Sequence, residues 1–104
     1  MTVLEVDQID GMGKSQEGRQ LLFLISDHLD WEQEGEHLLV LQEKINAYLT
    51  FIESAQYAEH YPDEQFNEFV IEIHFLHTPT KKCEEFLAIV GQQLQPFHIS
   101  IAVE

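Results

Sequence analysis

The sequence predicts an α+β fold: a two-layer sandwich, a four-stranded mixed sheet with two helices on one face, in the order β-β-α-β-α-β. Three observations carry this reading. Leu38, Leu41, Ile45, Tyr48 and Ile52 recur at spacings of three and four, which places them on one face of a long helix. Phe69, Ile71, Ile73 and Phe75 alternate with Val70, Glu72, His74 and Leu76, the period-two pattern of a strand. A turn cluster ending in glycine, Ser15-Gln16-Glu17-Gly18, lies between two extended segments and so predicts a β-hairpin.

In chain order, residues 2–9 (TVLEVDQI) alternate loosely and read as an extended lead-in or a first strand segment. Asp10-Gly11-Met12-Gly13-Lys14 follows and leads into the turn cluster. Its Gly13-Lys14-Ser15 is not a phosphate loop, because position 8 holds Gln8 where that motif needs glycine, and a strand follows where it needs a helix. Leu21–Ile25 is a short apolar run, and its length reads as a strand. The long helix begins after Gly35, with acids at its start, where the macrodipole favours negative charge. Glu43 and its neighbour Lys44 are expected on its outer side. Ser54–Asp63 is a loop whose Tyr57 and Tyr61 cover the end of the core, and Pro62 stops helical geometry at Tyr61.

Phe66 to Leu76 is the third strand. Thr80 is expected to cap a second helix, whose apolar side is Cys83, Phe86, Leu87, Val90 and Leu94, with Pro96 closing it. Phe97–Val103 is the last strand, with Phe97, Ile99, Ile101 and Val103 inward. The hairpin makes the first two strands antiparallel. The short connections around the second helix make strands three and four parallel, through a right-handed crossover. One sheet face then has no covering layer, and a symmetric homodimer is expected to pack there.

At 104 residues the chain reads as a single domain, and a hydrophobic content of 44% separates it from disordered sequences. Nineteen acids against five Lys and Arg give a formal charge of −14. That balance excludes a nucleic-acid partner, which needs clustered cations, and excludes docking on anionic lipid. The same charge suits a basic protein partner. The single cysteine, Cys83, falls on the apolar side of a helix and reads as a reduced core thiol. No leader or membrane-spanning run is present, so the expected location is cytoplasmic.

Two patches are candidate sites. The first is the acidic turn and helix start: Asp27, His28, Asp30, Trp31, Glu34, Glu36 and His37, with Glu32 between them. Imidazole and carboxylate together can hold a transition metal, but no His-x-x-x-His spacing occurs, and neither metal nor cofactor is expected. Trp31 is expected to anchor the turn against the body of the domain. The second patch is Glu72, His74 and His98 on the open sheet face, with Ser100 beside them. A carboxylate, a histidine and a hydroxyl together outline nucleophilic catalysis. Ser100 lacks the strained turn and oxyanion donors that such a serine needs, which favours polar residues lining a sheet face or interface.

Ser26-Asp27-His28-Leu29-Asp30-Trp31, Glu36-His37-Leu38, Leu41-Gln42-Glu43-Lys44-Ile45-Asn46-Ala47-Tyr48-Leu49 and Phe51-Ile52-Glu53-Ser54 together resemble a family of small bacterial proteins. Ile9-Asp10 and Tyr61-Pro62 extend the likeness over most of the chain. The family is catalogued as a domain of unknown function. The resemblance implies a bacterial cytosolic protein and transfers no catalytic or binding residue. The expected function is a non-enzymatic protein-interaction module, sharpest as an inhibitor or immunity-like protein for a basic partner. The alternative is a small metal-dependent or hydrolytic enzyme using one histidine patch.

Overall fold

The computed structural model describes residues 9–16, 18–62 and 64–103. Strands β1 (Gly11–Lys14), β2 (Gln20–Asp27), β3 (Glu68–Phe75) and β4 (Ile99–Val103) form one mixed sheet in the order β1-β2-β3-β4. Helix α1 (Glu34–Glu53) joins β2 to β3, and α2 (Lys81–Leu94) joins β3 to β4. β1 and β2 are antiparallel, whereas β2–β3 and β3–β4 are parallel. This is the predicted α+β architecture. Both crossovers step across the sheet in the same direction, so equal handedness puts both helices on one face.

That face holds the core. Alternate residues of β2 (Leu21, Phe23, Ile25) and β3 (Ile71, Ile73) are buried with Ile99 of β4. Leu41, Ile45, Tyr48 and Ile52 of α1 and Cys83 and Leu87 of α2 close over them. Each such side chain contributes about 1.5–3 kcal/mol by leaving water, which is why the helix stripes set the layer arrangement. The opposite face carries Leu22, Leu24, Val70 and Glu72, all half-buried, and among the described residues no helix lies over it. Tyr57 packs on Phe69 at 5.2 Å between ring centroids, and Tyr61 on Phe66 at 5.6 Å, so the tyrosine loop does cap one end of the core.

The first strand, the last strand and the burial of Lys44 differ from the reading of the sequence. The first strand among the described residues is Gly11–Lys14, and the segment expected to be extended lies, for residues 2–8, outside the described residues. Glycine is a poor strand former, but pairing with Leu24 and Leu22 in the hairpin outweighs that local preference. The turn follows at Ser15–Gly18, closed by the Gly18 N–H on the Ser15 carbonyl at 2.9 Å, with Gly18 at φ +74° where only glycine is unstrained. The last strand starts at Ile99. Pro96 sits in a 3-10 turn (Gln95–Phe97) and His98 adopts φ +62°, which swings Phe97 outward to 67% exposure, where the alternation predicts it inward. Lys44, expected on the outside of α1, is fully buried.

Candidate functional site

The site begins where β2 and β3 end. Asp27 and Phe75 are the paired last residues of these parallel strands, and ligands of parallel sheets gather beyond such carboxyl ends. Asp27 Oδ1 accepts the Leu29 N–H at 3.1 Å, and Asp30 Oδ1 accepts the Glu32 N–H at 3.1 Å. These two local bonds fold residues 27–32 into consecutive tight turns, as short acidic side chains favour. The chain then enters α1, whose first turn carries Glu34 and Glu36 and whose preceding residue, Gln33, makes no side-chain cap.

One turn into α1, His37 points back beneath this loop and is buried. Its Nε2 lies 2.5 Å from Asp27 Oδ2, with both side chains at most 2% exposed. Its Nδ1 donates to the Asp30 carbonyl at 2.9 Å. Trp31 stacks on the imidazole at 3.7 Å and 20° between planes, and its Nε1 donates to the His77 carbonyl at 3.3 Å. Trp31 therefore anchors the turn, as expected from its place in the sequence. The consequence for chemistry is definite. Nδ1 faces an acceptor only, so it carries a proton, and Nε2 is held by a carboxylate. Neither ring nitrogen offers a lone pair to a substrate or an ion while these bonds stand. His37 holds the loop in place and is poorly placed for general-base work.

Above that floor lies a cleft of about 480 Å³ lined by polar and acidic groups, including His28, Asp30, Glu32, Glu36, His37 and His77. Leu29 and Val40 form its apolar patch, and no Lys or Arg lines it. The structure thus brings Asp30, Glu32, Glu36, His28 and His37 together around one concavity. Glu34 is not among them: it is half-buried, and its charge acts on Cys83. Asp27 lies underneath, out of contact with solvent. Among the described residues, no group of three or more His, Cys, Asp or Glu is arranged to hold a metal ion.

The sheet-face patch does not assemble. His74 Nε2 and Glu72 Oε2 are 3.6 Å apart on the exposed face of β3, but Glu72 is level with Ala102 of β4. His98 precedes β4, and four residues of strand separate it from that level, about 13 Å. It lines a separate shallow recess with Glu68, Gln95 and Ser100. The correction comes from the αL turn at His98, which ends the strand before that residue can join it.

A second buried polar assembly was not read from the sequence. Lys44 Nζ donates to Asp10 Oδ1 at 3.0 Å, both side chains at most 1% exposed, and Asp10 Oδ2 accepts the Ser26 N–H at 3.0 Å. The Asp10 N–H donates to the Tyr48 hydroxyl at 2.8 Å, and that hydroxyl donates to the Leu24 carbonyl. Burial pushes the Tyr48 phenol well above its ordinary range. Burial, with Asp27 and Glu84 nearby, likewise pushes the Cys83 thiol up to about 11. A thiol so placed is a core group, with no thiolate at neutral pH to act as nucleophile.

The family match covers the whole length, residues 1–104. The chain belongs to DUF6572, a family of unknown function. No curated protein and no solved structure is significantly similar to this DUF6572 chain. Among the described residues no helix is long and apolar enough to cross a membrane.

Proposed function

We propose that this DUF6572 protein is a non-enzymatic interaction module of the bacterial cytoplasm. In this reading it acts as a homodimer, and its acidic cleft receives a basic segment of a partner protein. One observation carries the reading: Asp30, Glu32 and Glu36 line a single concavity that no Lys or Arg lines. Like charges gathered in a cleft focus the field and draw an oppositely charged group inward. Leu29 and Val40 offer the stem of a lysine or arginine an apolar surface while its head meets the carboxylates. The engaged nitrogens of His37 argue against the enzymatic alternative, and the Asp27–His37–Trp31 stack gives the cleft a fixed floor. An inhibitor or immunity-like role follows if the basic segment belongs to a partner's functional surface.

The test is calorimetric titration with a lysine- and arginine-rich peptide at two ionic strengths. Binding that weakens steeply with salt supports the reading, since exposed charge pairs are screened over roughly 8–10 Å at physiological salt. Absence of binding at low salt contradicts it.

A further inference from the structure

We infer that the protein forms its homodimer by antiparallel pairing of β4 with β4 of a second copy, joining two sheets into one of eight strands. This rests on the homodimer reading above and names its surface. The sheet has two edges, and they differ. β1 is four residues long, contains two glycines, and ends in Lys14, whose ammonium bonds Glu64 at 2.5 Å; short strands and lysine are features that discourage edge pairing. β4, Ile99-Ser100-Ile101-Ala102-Val103, has no charge, no proline and no glycine, in a chain of net charge −14. Among the described residues it is the open edge on which two copies of so acidic a chain can meet without opposing carboxylates.

The hydrogen-bond phase makes the pairing specific. The Phe69 N–H donates to the His98 carbonyl at 2.9 Å, which fixes the parallel ladder with β3. Even-numbered residues 98, 100 and 102 therefore direct their backbone groups to β3, and Ile99, Ile101 and Val103 direct theirs outward. A two-fold axis at Ile101 sets Ile101 opposite its own copy and Ile99 opposite Val103. Every pair is then of the hydrogen-bonded kind, about six backbone bonds in all. The side chains agree with this register. Ile99, Ile101 and Val103 share the helix-side face and meet one another, while small Ser100 and Ala102 meet on the other. Pro79, Leu87, Ala88, Ile101 and Val103 line a groove of about 330 Å³ beside the edge, with exposed Glu84 as its one charged member. Val103, 49% exposed, is the residue that the second copy covers. A two-fold homodimer is also the commonest closed assembly.

Native mass spectrometry and amide exchange by NMR test this on the full chain. The expected result is a dimer whose Ile99, Ile101 and Val103 amides are protected and become rapidly exchanging on dilution to monomer. Ser100 and Ala102 stay protected throughout, through β3. Val103→Lys, at a half-exposed strand end, should keep the circular dichroism spectrum and be monomeric where the wild type is dimeric; Val70→Lys, on the open sheet face, should remain dimeric. A dimer that survives Val103→Lys but not Val70→Lys overturns the β4 interface and leaves the homodimer standing. A wild-type chain that is monomeric at all concentrations overturns both, while peptide titration still reports separately on the cleft.

Discussion

Asp27 and His37 show what a single residue decides here. The pair is buried, and removing one partner leaves the other polar group without compensation. Asp27→Ala should therefore cost about 1–3 kcal/mol in urea unfolding, the range for leaving a buried hydrogen-bonding group unsatisfied. Tyr48→Phe strips the hydroxyl between Asp10 and Leu24 and should cost about 1–3 kcal/mol. A destabilisation below half a kcal/mol in either variant contradicts the assignment. Cys83 and Tyr48 set the alkaline limit. Both have folded pKa values raised above their unfolded ones, so the unfolded chain releases protons first as pH rises. The Cys83 contribution is complete below about pH 9 and is lost as pH climbs through about 11, that of Tyr48 only at higher pH, and melting curves across pH 8–11 should record a falling Tm. Burial of His37 and Lys44 was hidden in the sequence although their spacing was not. His37, Leu41, Lys44 and Tyr48 follow the same stripe, but two basic residues read as surface until their partners are known. Asp10 lies 34 residues from Lys44, and pattern along a chain does not report such distance.

Elements were more legible than the residues they bury. Apolar spacing marked α1, α2 and β3 because each presents one repetitive face to the core. It failed at β1, where glycines form a strand only through pairing with β2, and at Phe97, where an αL residue overrides strand-like alternation. The α2 cap was legible, since Thr80 Oγ1 accepts the Cys83 N–H at 3.1 Å. Thr80→Ala should lower stability by about 1 kcal/mol. After α1, Ala55 holds φ +58°, a conformation that costs a residue with a Cβ roughly 1–2 kcal/mol. Ala55→Gly should raise Tm, and a lowered Tm would show that the turn is held by contacts beyond its backbone.

At the scale of the molecule, charge is the dominant property. A net −14 on 104 residues opposes the compact state through self-repulsion, yet acids were kept together at one cleft. Composition disclosed the excess; only the turns at Asp27 and Asp30 and the Trp31 stack show why Asp30, Glu32 and Glu36 converge while Glu34 does not. The central claim is that this convergence, rather than total charge, recognises a basic partner. Two variants of equal net charge separate these: Asp30→Asn with Glu32→Gln and Glu36→Gln at the cleft, and Glu43→Gln with Glu53→Gln and Glu85→Gln at exposed positions elsewhere. Titration of both with the same lysine- and arginine-rich peptide should show at least a roughly tenfold loss of affinity for the cleft variant, about 1.4 kcal/mol, and little change for the other. Equal losses in the two would contradict the account, because the peptide would then be answering to net charge alone.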